Sequence, residues 1–131
     1  QTAQLSPVPI TDPHMRRYGG MVGNQRVSVW VYLDKGRIAA EKVEVAIPPE
    51  TKDVYALAIM NRFFQEFVGS RAMRMTLDAK LRSMRRAIID GGTAVSIRDL
   101  DHVRMTLRLD SRIREDYPNW LFWVAEIYKT R

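Results

Sequence analysis

The stretch Arg26-Val27-Ser28-Val29-Trp30-Val31-Tyr32-Leu33-Asp34-Lys35-Gly36 decides how the rest of the chain is read. Val27, Val29, Val31 and Leu33 alternate with Ser28, Trp30 and Tyr32, so residues 26–33 form a β-strand with one apolar face. Asp34-Lys35-Gly36 is a turn in which Gly36 supplies a positive φ. A second strand returns over Arg37 to Ile47, best marked by Val43, Val45 and Ile47, and Pro48-Pro49 ends the hairpin. The first half of that strand, Ile38-Ala39-Ala40-Glu41-Lys42, reads equally as a short helical turn.

Downstream the period changes. Over residues 51–68 the spacing predicts a helix, with Thr51 as N-cap and Asp53 in its first turn. Val54, Leu57, Ala58, Phe64 and Val68 share one face, and Ile59, Met60, Phe63 and Phe67 cover much of the rest. So broad an apolar surface marks a central helix, and Gly69 is its expected stop. A second helix is predicted over 76–90, capped by Thr76, with a core stripe of Leu77, Leu81, Met84 and Ile88. Gly91-Gly92 ends it.

Period two then resumes. Val103, Met105, Leu107 and Leu109 point inward from a third strand, with Arg104, Thr106 and Arg108 outward. Residues 110–118 read as a charged loop with Pro118, and Trp120 to Lys129 as the last strand. Its run Trp120-Leu121-Phe122-Trp123-Val124 is apolar on both faces, which places it inside the sheet or under a partner. Residues 1–25, with Pro7, Pro9, Pro13, Gly19, Gly20 and Gly23, read as an extended arm ahead of one domain over 26–131. The expected fold class is therefore α+β: an antiparallel four-stranded sheet with two helices on one face, in the order β-β-α-α-β-β. Trp30, Tyr32, Arg104 and Arg108 are expected on the sheet's other face.

The 131 residues suit a single domain, and 46% hydrophobic with 27% charged residues is globular composition. There is no cysteine, which excludes disulfides, thiolate metal sites and a cysteine nucleophile. No apolar run is long enough to span a membrane; the longest, Val54 to Met60, meets Asn61-Arg62. The start at Gln1 suggests a removed leader, and so a periplasmic or organellar setting, or a beginning inside a longer protein.

The charge is uneven. Residues 71–114 carry eleven Lys/Arg against five Asp/Glu, so the whole net charge of +6 sits there. Arg71, Arg74, Arg82, Arg85 and Arg86 on or just before the second helix, with Arg104 and Arg108 on a strand, form the candidate contact for something acidic. Arg82 has Asp78 and Arg86 has Asp90 at helical spacing. Arg85 has only Leu81 and Ile89, so its partner must come from elsewhere in the fold or from another chain, and another chain or a polyanion is expected.

No chemical motif competes with that reading. No serine lies in a nucleophile elbow, and Gly91-Gly92-Thr93 lacks the lysine of a phosphate loop. Asp99-Leu100-Asp101-His102 holds three ligand-type residues, but in one short acidic turn rather than on converging elements. No enzyme, cofactor or metal is expected. The expected function is a non-catalytic subunit of a larger, oligomeric assembly, binding protein neighbours through the basic face and the arm. The alternative is a nucleic-acid-binding module, with Trp30 and Tyr32 as stacking rings beside the arginines.

The strand Val27 to Leu33, the helix through Tyr55–Phe67, the helix Leu77–Ile89 and the strand Val103–Leu109 follow one another in a layout that resembles the periplasmic domain of the FliL-like family of flagellar basal-body proteins. The resemblance runs from Arg26 to Leu109. It implies a non-enzymatic, ring-forming partner of a membrane motor. Leu5-Ser6-Pro7-Val8-Pro9-Ile10 would stand where that family leaves its membrane helix.

Overall fold

The hairpin deduced from Arg26 to Ile47 is the centrepiece of a larger sheet. The computed structural model describes residues 4–68, 70–100, 102–110 and 119–130. Along the chain the elements are β1 (Gln4–Val8), β2 (Met15–Val22), β3 (Gln25–Asp34), β4 (Arg37–Ile47), α1 (Val54–Phe67), α2 (Arg71–Ile89), β5 (Val95–Leu100), β6 (Val103–Asp110) and β7 (Leu121–Lys129). The strands form one sheet in the order β1-β2-β3-β4-β7-β6-β5, and each neighbouring pair is antiparallel.

The expected four-stranded sheet is corrected to a seven-stranded one. The expected arm is instead the pair β1–β2, which extends the sheet beyond β3. Proline did not prevent this because β1 is an edge strand, the place where a strand tolerates it. Gly20 faces Leu5 on one side and Val27 on the other, where a side-chain-free position still fits the ladder. Val22 and Gln25 close a two-residue connection with Gly23 at φ 60°, the conformation that hairpin turns of this length ask of glycine. The third addition, β5, pairs with β6 through a tight turn. The expected helix stop at Gly69, Asp101 and the expected loop over 111–118 lie outside the described residues.

The β3–β4 turn forms as expected, with Lys35 at φ 52° and Gly36 at φ 77°. The first half of β4 is strand and not a helical turn, because residues 40–47 pair with β7. β7 lies between β4 and β6, and this central place explains its apolar faces. Trp123, Ala125 and Ile127 are buried toward the helices, and Phe122 and Val124 are buried on the opposite face.

The helices differ from expectation mainly at their starts. α1 begins at Val54, and Asp53 at its N-cap makes no side-chain cap. Thr51 instead accepts a hydrogen bond from Asn24 Nδ2 at 2.8 Å, tying the β2–β3 turn to the entry of α1. α2 begins at Arg71, where the Ser70 hydroxyl accepts from the Met73 amide. Thr76 lies inside this helix and donates back to the Met73 carbonyl at 2.8 Å. Gly92, at φ 71°, follows the end of α2.

α1 packs on β4 and β7, α2 packs on β5 and β6, and the helices contact each other. The core between them and the sheet includes Leu57, Met60 and Phe64 from α1, and Leu77, Leu81 and Met84 from α2. The expected core stripes are buried throughout except for Val54 and Ala58 on α1, which face out. Among the described residues no helix is long and apolar enough to cross a membrane.

Candidate functional site

The seven expected contact arginines do not form one surface. Arg71, Arg74, Arg82, Arg85 and Arg86 lie along one flank of α2, on the helical side of the sheet. Arg104 and Arg108 lie on β6 and point to the opposite face, since Met105 and Leu107 between and beside them are buried under the helices.

On the α2 flank, Arg82 pairs with Asp78 at 3.1 Å, one turn earlier and well exposed. Arg85 corrects an expectation: its partner is within the chain. Its Nε lies 2.8 Å from Asp53 Oδ2 at the start of α1. Helical spacing could not show this, because the carboxylate comes from the neighbouring helix. No ion pair is formed by Arg71, Arg74 or Arg86 with a described residue. Met75, 74% exposed, sits on the same flank. The outward stripe thus has Arg71 and Arg74 beside exposed Met75 and Arg86 about three turns further on, none of them paired with a described residue.

The outer face of the sheet is arranged in cross-strand rows. One row runs Arg17, Trp30, Lys42, Glu126 across β2, β3, β4 and β7. The Trp30 ring lies between two cations, with the Arg17 guanidinium carbon 4.9 Å and the Lys42 Nζ 4.3 Å from its centroid. The next row runs Tyr32, Ala40, Tyr128, Arg104, Asp99. Arg104 donates to both Asp99 oxygens, at 2.6 and 3.3 Å. Those hydrogen bonds hold the Asp99 carboxyl below the usual carboxylate range. They also raise the Arg104 guanidinium above its usual range, with the Tyr128 oxygen contributing. Burial, and then the nearby Glu126, raise the Tyr32 phenol. Arg108 lies in its row between Val95 and Val124. Trp30 and Tyr32 are half-buried rather than freely exposed.

The acidic turn before β6 serves the hairpin: Asp99 is engaged by Arg104, and His102 sits in the turn. His14 lies in the β1–β2 connection, where its amide donates to Asp12 Oδ1 at 2.8 Å. Among the described residues no three His, Cys, Asp or Glu side chains converge as metal ligands.

One residue was missed at the level of sequence. Glu41 on β4 points toward the helices and is only 7% exposed. Burial first, and the Glu66 carboxylate second, push its carboxyl up to about 7. Comparison with known protein families, curated proteins and solved structures finds no match.

Proposed function

We propose that this chain is a non-catalytic interaction module of a larger assembly, and that it meets an acidic protein surface through the α2 flank. The observation that carries this reading is the set Arg71, Arg74 and Arg86 along one flank of α2, unpaired among the described residues, with exposed Met75 beside the first two. Arginine forks recognise carboxylates in pairs, and an exposed apolar side chain among them supplies the desolvated centre that interfaces favour. A ring-forming role beside a membrane motor, as the FliL-like resemblance implies, would be one instance of it.

Nucleic acid is the second reading, but the outer face offers it little. The stacking ring it needs, Trp30, already carries Arg17 and Lys42, and Arg104 is held by Asp99. The test is the triple reversal of Arg71, Arg74 and Arg86 to Glu. Complexes captured from the native source by cross-linking are expected to disappear in the variant, and nuclease treatment of the wild-type complex is expected to leave them intact. Complexes that survive the reversal would refute the assignment of this flank. Complexes lost to nuclease would transfer the flank to the nucleic-acid reading.

A further inference from the structure

The helical layer stops short of one end of the sheet. α1 and α2 lie over β4, β7, β6 and β5, while β1, β2 and β3 extend past α1. Between α1 and this wing runs a groove of about 570 Å³. Leu5, Tyr18, Val31 and Ile38 are among the side chains of its floor, and Phe63 and Glu66 of α1 form its wall. It continues along α1 past Phe63 to Ile59, Arg62 and Val22. Three strands spaced about 4.8 Å apart span about 10 Å, the width of one helix with its side chains.

Glu41 opens into this groove. It stands in a row with Arg16, Val31 and Ile127, so its neighbours directly across the ladder on either side are apolar. It makes no hydrogen bond or ion pair with a described residue. The charged groups that face it are Glu66 across the groove and Arg16 at the far side of the row, with Tyr18 on β2 and Arg62 one turn along α1. Residue Glu41 is more than nine-tenths buried, while its carboxylate opens into the groove next to a second carboxylate and without an ion-pair partner among the described residues. It destabilises the isolated chain and attracts a cation.

We propose that this groove receives an amphipathic helix of a partner protein, laid over β1–β3 as a third member of the helical layer, with a lysine or arginine on its apolar face paired to Glu41 and Glu66. The occupant is set by two complementarities. The missing slot has the width and the apolar floor of a helix seat, and its buried charge is negative. This site stands apart from the α2 flank and from any partner bound there.

The experiment titrates isotope-labelled protein, followed by amide NMR at about pH 8, with two synthetic helical peptides of about four turns (~14 residues). The peptides share a leucine stripe and differ at its centre, where one has lysine and the other glutamine. The lysine peptide is expected to bind at least about tenfold more tightly, with shifts confined to β1–β3, the first half of β4 and the facing side of α1. Glu41→Gln, which keeps the shape of the side chain, is expected to remove that advantage while its thermal midpoint shows it folded. Equal binding of the two peptides, an advantage that survives Glu41→Gln, shifts centred on α2 or the outer face, or no binding at about 1 mM would each overturn the proposal. Decylamine is the control for the source of the cation. If it reproduces the shifts and the lysine peptide does not, the groove is a seat for a small amphiphile and the helix is wrong.

Discussion

Replacing Glu41 by Gln is expected to stabilise the protein above neutral pH and to do little near pH 4. The reasoning starts from burial: desolvation, with Glu66 adding repulsion, moves the carboxyl from the usual value of 4.5 to about 7. Between those values the folded protein holds a proton that the unfolded chain has released. Stability is therefore highest below the unfolded value and falls as pH rises through about 7. A displacement of that size corresponds to about 3 kcal/mol, at 1.36 kcal/mol for each pH unit. That figure is a ceiling, because the groove is open on one side and solvent screens the charge.

Glutamine is neutral throughout and has nearly the same volume. The variant and the parent should match near pH 4 and diverge by about 1–3 kcal/mol by pH 8, with the variant more stable. Urea unfolding of both proteins at several pH values measures the difference. Parallel stability curves across the whole range would refute the reasoning. Glu41 would then ionise as a solvated carboxylate does, and the groove would lack the buried charge ascribed to it.

Other perturbations probe the frame around that groove. Phe64→Ala, at a fully buried position where α1 meets the sheet, should cost roughly 3–5 kcal/mol in unfolding free energy. An unchanged midpoint would mean that α1 is wrongly faced. A double-mutant cycle on Asp53 and Arg85 should give a coupling of about 1 kcal/mol that shrinks with salt, since both side chains keep some exposure. A coupling near zero would return Arg85 to the pool of arginines available to a partner. The Trp30–Lys42 pair should couple by about 0.5–1 kcal/mol in the same kind of cycle. Its absence would free the ring for stacking and revive the nucleic-acid reading of the outer face.

The half of the fold around β3, the second half of β4, the two helices and β6 was legible because each element buries one face and so carries a period, and β7 because its run is apolar on both faces. The strands that were missed lack that signature. In β2, Gly19 and Gly20 erase the alternation, and at Gly19 the Val8 side chain of β1 stands 3.6 Å from where a Cβ would be. In β1, Pro7 argues against a strand by propensity, and only the knowledge that β1 is an edge would reverse the argument. In β5 the pattern Val95-Ser96-Ile97-Arg98-Asp99-Leu100 does alternate, but its apolar members Val95 and Ile97 point to the exposed face. Alternation was sought as a core signal, and here it marks the other side. The residue that pairs Arg85 was unreadable for a different reason: Asp53 belongs to another helix, and only packing brings the two together.

Glu41 shows where the sequence held more than was taken from it. Once β4 is a strand from Arg37 onward, period two puts Glu41 on the same face as Val43, Val45 and Ile47, all fully buried. A carboxylate in that register must be paired, neutral or presented to something outside the chain. The ambiguity over Ile38–Lys42 concealed this, because a helical turn there would have let Glu41 point to solvent. Pairing of Glu41 with Val31 and Ile127 removes the ambiguity. The charge surplus of residues 71–114, which is visible in composition, says only that an acidic surface would be welcome. One acid in an inward position says more, since burial makes its charge costly and its location single. The more specific interaction signal in this chain is therefore the lone misplaced negative charge rather than the abundant positive ones.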